Sequence, residues 1–257
     1  MPSPGTSDAE TGQAKLRVLV TRPREDAESL VAALNERGHR VVLEPLLTIV
    51  PRSTVDWPQG HTAAQALLIT SANGLRAFAA LDARRSLPVY AVGDASAAAA
   101  RAAGFDKVTS AAGDVEDLAR RVRDALRPQD GPLLHPAASK RAGDLKGLLE
   151  AAGFRVLRAI LYDSQAASRL SPALRQALTS ELIGVATFFS PRTAATFASL
   201  VTEAGLDGAC RGVVALCLSD AVAQQVSGLP WRSIAVAARP DQNALLARLD
   251  ALALSGE

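Results

Sequence analysis

The chain carries a weak internal duplication, and this limits its fold more than any single element does. Near the N-terminus, "RVLVTRPREDAESLVAALNERGHRV" matches the later "PLLHPAASKRAGDLKGLLEAAGFRV", which places Gly38 over Gly153. "LLITSANGLRAF" matches "TFFSPRTAATF" with Ser71 over Ser190, and "VGDASAAA" matches "LSDAVAQQ" with Gly93 over Ser219. Three segments that recur in the same order imply two copies of one structural unit.

Each copy reads as alternating strand and helix. Arg17 to Val20 is a short apolar run. Ala27, Leu30, Val31 and Leu34 then fall on one face at helical spacing until Gly38 stops the helix, and a second strand follows at Arg40 to Leu43. The pattern continues with "ALLIT" and a helix through Phe78, "VYAV" and an alanine-rich helix closing at Gly104, then "DKV" and a helix with Val115, Leu118 and Val122 on one face. Such alternation predicts doubly wound parallel sheets covered by helices on both faces.

Pro and Gly cluster at Pro128 to Pro132, where a tandem arrangement would divide. Two apolar stretches argue for another division. "EPLLTIVP" from Glu44 to Pro51 and "RAILYDS" from Arg158 to Ser164 are both too long for a simple αβ turn. Either each is an ordinary edge strand, or the two pair as an antiparallel ribbon bridging two lobes. The second arrangement gives a discontinuous lobe of residues 16–44 and 166–254, a continuous lobe of residues 52–157, a ladder of residues 45–51 and 158–165, and a disordered tail over residues 1–15. The expected fold is therefore α/β, with two similar doubly wound parallel-sheet lobes joined by a two-stranded β ladder and the chemistry in the cleft between them.

Composition removes several function classes. Hydrophobic residues make up 48% of the chain and charged residues 21%, the balance of a folded globular protein. The net charge is only +2 and aromatic residues are 4%, which argues against a nucleic-acid groove lined with stacking platforms. The first fourteen residues are polar, without the apolar core of a signal peptide, and no later run has the ~18 apolar residues of a membrane span. These features predict a cytoplasmic protein with no membrane partner. Cys210 and Cys217 are the two cysteines; Cys217 lies in the apolar run "VVALCLSD", so a disulfide framework is not expected. His39, His61 and His135 have no companions at ligand spacing, so no metal site is expected.

Polar residues recur where strands give way to helices: Thr21 and Arg22; Thr70, Ser71 and Asn73; Gly93 and Ser96; Ser139; Ser190 and Arg192; Ser219 and Asp220. In open parallel sheets the carboxyl ends of strands face the ligand crevice, and the helix N-termini beyond them offer free N–H groups to anions. Taken singly, such residues are ordinary helix caps. Taken together they predict two anion-binding rims. The phosphate and nucleotide signatures G-x-G-x-x-G and G-x-x-x-x-G-K-[ST] are missing, as is the G-x-S-x-G elbow. A phospho-receiver domain would want acidic residues after the first strand, where this chain has "TRP". A cofactor-free enzyme and a non-catalytic two-lobed ligand-binding protein are the readings left open.

The ordered series "VLVTRPREDAESLVAALNERGHRVVLEPLLTI", "LLITSANGL", "YAVGDASA", the "YD" of Tyr162 and Asp163, and "FFSPRTA" resembles the uroporphyrinogen-III synthase family, from Leu16 to Leu252. Val222 lacks the hydroxyl that Ser96 keeps in the first copy, and Ala138 stands where the family often has Gly. The resemblance implies two α/β lobes joined by a two-stranded ladder. It also implies conversion of hydroxymethylbilane, a linear tetrapyrrole with an acetate and a propionate on every ring, into uroporphyrinogen III. That reaction loses water, inverts the last ring, closes the macrocycle and uses no cofactor.

On this resemblance Tyr162 matches the family's tyrosine at the end of the ladder and is the expected proton donor. Thr21, Arg22, Thr70, Ser71, Asn73, Gly93, Ser96, His135, Ser190 and Ser219 are the expected substrate contacts. His135 is read as ending a strand, from where it donates to a carboxylate. Expected partners are the tetrapyrrole and the upstream hydroxymethylbilane synthase, with the chain itself a monomer.

Overall fold

The structure, a computed structural model, describes residues 15–140 and 143–255. Of the tail expected over residues 1–15, all but Lys15 lies outside the described residues. The chain divides into two units. One comprises the residues up to Pro45 with those from Ser168 onward, and the other is Leu46–Ala167.

The first unit is built on β1 (Arg17–Val20), α1 (Arg24–Glu36) and β2 (Arg40–Leu43), where the hydrophobic spacing placed them. Ala27, Leu30 and Leu34 of α1 are fully buried against Val18 and Val20 of β1. The helix ends at Gly38, whose φ of +77° closes the turn with bonds from its own N–H to Asn35 O and from His39 N–H to Leu34 O. Gly153, its counterpart in the duplication, has a φ of +84° and makes the matching pair of bonds to Glu150 O and from Phe154 to Leu149 O.

The second unit begins with β3 (Leu47–Pro51), followed by β4 (Ala66–Ile69), α2 (Ala72–Leu81), β5 (Val89–Ala91), α3 (Asp94–Ala102), β6 (Val108–Ser110), α4 (Val115–Ala125), β7 (Leu133–Ala138), α5 (Leu145–Glu150) and β8 (Val156–Ala166). Alternate residues of these strands face opposite ways. Leu67 and Ile69 pack with α2 and α3, whereas Ala66 and Leu68 pack with α4 and α5. The chain then returns to the first unit through α6 (Pro172–Thr179), β9 (Val185–Phe188), α7 (Pro191–Glu203), β10 (Val214–Cys217), α8 (Asp220–Val226), β11 (Ser233–Val236) and α9 (Gln242–Ser255). Cys217 is fully buried in β10, and both cysteines are free thiols. Among the described residues no helix is long and apolar enough to cross a membrane.

The two copies of the duplication are interleaved between the units. The first unit's sheet runs β11-β10-β9-β1-β2, all parallel, and the second's runs β3-β8-β7-β4-β5-β6. Overlaying the matched segments turns β2-β1-β9-β10-β11 into β8-β7-β4-β5-β6, so each sheet takes its opening strands from one copy and its remainder from the other. The extra strand β3 runs antiparallel to β8, pairing Leu47 with Ala166 and Pro51 with Tyr162.

This antiparallel pair is not detached from the sheet beside it. Val156–Ala166 is one eleven-residue strand; its first part pairs in parallel with β7 and its last part pairs with β3. A register shift between Ala137 and Ala138 marks the changeover and brings Ala138 opposite Tyr162. Bonds from Arg52 N–H to Leu161 O and from Ala167 N–H to Leu46 O close the two ends of the pair.

Candidate functional site

In the first unit the sequential order reverses between β1 and β9, and in open parallel sheets the carboxyl ends of the strands at such a point form the rim where ligands bind. Thr21 braces this rim from within. It is fully buried, its hydroxyl donates to Thr187 O at 2.8 Å, and the Thr187 hydroxyl in turn donates to Leu19 O at 2.9 Å. The Thr21 hydroxyl proton is thereby committed to the neighbouring strand. Arg22 is half-buried at the rim. Its guanidinium lies 4.2 Å from the Phe189 ring centroid and donates to Gln242 Oε1 at 3.2 Å.

The helix N-termini on these rims fall into two kinds. Ser190 caps α7 by accepting from Thr193 N–H at 3.2 Å, and Ser71 caps α2 by accepting from Asn73 N–H at 3.2 Å. Ser219 and Gly93, which the duplication superposes, provide no side-chain cap for α8 and α3. Each of these helices opens on an exposed aspartate, Asp220 or Asp94. Ser96 is buried in the first turn of α3.

In the second unit the corresponding reversal lies between β7 and β4. Thr70 Oγ1 is 3.1 Å from His135 Nε2. His135 is the third residue of the six-residue β7, not its end, and is 9% exposed. This corrects its expected position, since the strand runs on to Ala138 through two further apolar residues. Burial, reinforced by the Arg158 charge on the facing strand, lowers its pKa to about 4, and Nδ1 has no partner among the described residues. Asn73 is buried and its Oδ1 accepts from Arg76 Nη2 at 2.6 Å.

Tyr162 sits where β8 changes partners, and it is only 6% exposed within the apolar core of its unit. Three contacts fix its surroundings. Its carbonyl accepts from Ser139 N–H at 3.1 Å. The next residue, Asp163, takes a two-pronged bond from Arg52 at 3.1 and 3.3 Å; this and the Ser139 hydroxyl hold its carboxyl below the usual carboxylate range. On the helix side Gly74 of α2 comes so near that a Cβ there would be 2.6 Å from Pro136 O and 3.8 Å from Tyr162 Cε1.

Sequence reasoning missed Thr187, Phe189, Gln242, Gly74 and Arg52. Only Gly74 carried a signal, as a glycine inside a helix where alanine is the better former. Among the described residues no group of three or more His, Cys, Asp or Glu is arranged to hold a metal ion.

A family model described as "Uroporphyrinogen-III synthase HemD" matches residues 28–247. The chain belongs to the uroporphyrinogen-III synthase family. No curated protein matches it by sequence. Solved structures agree on the fold. Uroporphyrinogen-III synthetase from Helicobacter pylori 26695 matches with a TM-score of 0.60 and 15% identity, covering 93% of this chain and 99% of that one. A triple mutant of the synthase from the extreme thermophile Thermus thermophilus matches with a TM-score of 0.50 and 19% identity, covering 94% and 100%. The uroporphyrinogen-III synthase match spans residues of both units, from within α1 to within α9.

Proposed function

We propose that this chain is a cofactor-independent dehydrating cyclase that converts hydroxymethylbilane into uroporphyrinogen III. The observation that carries this reading is the family match over residues 28–247. The rims support it chemically. A substrate with carboxylates on every ring is best held by many separate donors, and each unit offers a helix N-terminus without a side-chain cap, at α3 and at α8.

In the proposed reaction the terminal hydroxymethyl group leaves as water, and its carbon becomes part of a resonance-stabilised cation on the first pyrrole, at the opposite end of the tetrapyrrole from the ring that is inverted. The Tyr162 phenol gives the proton that the hydroxyl needs. Attack by the substituted carbon of the last ring gives a spirocyclic intermediate; its rearrangement inverts that ring, and closure releases a proton that restores the phenol. Holding the ring against uninverted closure is a matter of position, which rigid surroundings provide. The Arg52–Asp163 pair, the register shift at Ala138 and the close approach of Gly74 surround Tyr162 and define its position. Arg22, stacked on Phe189 and bonded to Gln242, presents a charged fork for one carboxylate. Ser71, Ser96, Ser190, Ser219, Thr70, Asn73, Gly93 and His135 belong to the same rims as contacts or as their supports. The chain acts as a cytoplasmic monomer supplied by hydroxymethylbilane synthase.

The test is to add the purified protein to freshly generated hydroxymethylbilane, oxidise the products and separate the isomers. Predominant type III product at a rate above spontaneous closure is the expected outcome. Type I product at the uncatalysed rate refutes the reading.

A further inference from the structure

Beyond the strand ends already described, the first unit contains a cavity of about 510 Å³ lined by Arg169, Leu170, Pro172 and Arg175. That volume lies within the range of roughly 300–1,000 Å³ typical of small-molecule sites. Leu170 is buried and Pro172 opens α6, so part of the wall is apolar and fixed. Arg169 and Arg175 are exposed, and neither guanidinium has a hydrogen-bond or ion-pair partner among the described residues. The intervening Ser171 is anchored. Its N–H and hydroxyl donate to the Glu44 carboxylate at 2.8 and 2.7 Å, and its Oγ accepts from Leu174 N–H. Among the described residues the Glu44 carboxylate bonded to this segment is thus already engaged by two donors.

Glu44 directly follows β2, the edge strand beside β1, so the cavity prolongs the first unit's rim past its edge. An apolar wall with two uncommitted guanidiniums suits a flat ring bearing carboxylates. We infer that this cavity is an outer subsite for one pyrrole ring of the tetrapyrrole, with Arg169 and Arg175 taking that ring's acetate and propionate. The inference rests on the function proposed above and assigns these residues to binding alone. An interaction made equally in ground and transition states raises KM on its loss and leaves kcat unchanged.

The experiment compares wild type with Arg169→Ala, Arg175→Ala, the double variant, the charge-keeping double Lys variant and Arg248→Ala, an exposed arginine on α9 as control. KM and kcat are measured with hydroxymethylbilane, and affinity for uroporphyrin III, the stable oxidised product, is measured by tryptophan quenching. Each single alanine change should raise KM about threefold to tenfold and the double change more, with kcat within about twofold, as expected for solvent-accessible charge contacts. Porphyrin affinity should fall in step, the double Lys variant should recover part of both, and Arg248→Ala should change neither. Unchanged KM and porphyrin affinity in the double alanine variant overturn the subsite, as does a fall in kcat alone. If the wild type makes no type III product, the proposed function fails. In that case the porphyrin titration of wild type against the double variant still decides whether the cavity receives a carboxylated ring.

Discussion

Thr70 Oγ1 lies 3.1 Å from Nε2 of His135, joining the residue after β4 to the middle of β7 at the point where the strand order reverses. Because burial lowers the pKa of His135 from 6.5 to about 4, the ring is neutral at physiological pH. The unfolded chain, with an ordinary imidazole, binds the proton more readily between those two values. Stability contributed by the neutral form is therefore complete above pH 6.5 and is lost as pH falls toward 4, by an amount on the order of 3 kcal/mol. Urea midpoints at pH 7.5 and 4.5 should show that loss in wild type. His135→Gln, whose amide still reaches Thr70 but does not titrate, should show a loss smaller by about that amount. Equal losses in both proteins would mean that His135 does not carry the effect.

Gly74 tests how tightly α2 must approach β7. An added methyl would sit 2.6 Å from Pro136 O, a backbone atom that cannot turn aside. Gly74→Ala should cost about 1–3 kcal/mol in chemical denaturation, because overpacking forces the helix outward. Activity should fall further than the lost folded fraction explains, since the same shift disturbs Tyr162. A variant as stable and active as wild type would show that α2 moves without consequence.

Serines at the helix N-termini should separate by role. Ser71→Ala and Ser190→Ala each remove a cap, a loss of about 1 kcal/mol in stability. Ser219 makes no cap bond, so Ser219→Ala should leave the thermal midpoint unchanged. If Ser219 contacts substrate, the same variant should slow turnover by about tenfold or less, the value of one neutral hydrogen bond. A stability loss at Ser219 matching those at Ser71 and Ser190 would remove this distinction.

Much of this arrangement is legible in the sequence, and the reasons differ by residue. Strands at Arg17–Val20 and Arg40–Leu43 and the turn at Gly38 follow from local spacing, which short-range sterics enforce. The duplication likewise exposed Gly153 as the partner of Gly38. Contacts across the sheet left no such trace. Thr21 meets Thr187 and Arg22 meets Gln242 only because distant strands and helices settle side by side, and no local pattern encodes that register. His135, read as ending its strand, lies inside it, because β7 runs on through Pro136 to Ala138. Its pairing with β8 continues there, with Pro136 opposite Ala159 and Ala137 opposite Ile160.

Tyr162→Phe is the sharpest test of the proposed chemistry. The ring is buried within an apolar cluster and faces Gly74, so replacing the hydroxyl by hydrogen keeps the packing and the fold should survive. Positioned proton transfer contributes about 10²–10⁴-fold, so the rate should drop by that order. The intermediate would then close more often without inversion, and the type I isomer should rise with the loss of rate. Tyr90, also buried but in the cluster formed with α4 and α5 on the other face of the sheet, is the matched control; Tyr90→Phe should leave rate and isomer ratio nearly intact. Asp163→Asn extends the comparison, because it weakens the Arg52 bond beside Tyr162 and spares the phenol. It should raise the type I fraction with a smaller loss of rate, as expected of a residue that positions the donor. If Tyr162→Phe keeps more than about a third of the activity, a change of only ~0.6 kcal/mol in barrier, the phenol merely positions substrate. The proton must then come from solvent or from a carboxyl group of the substrate itself.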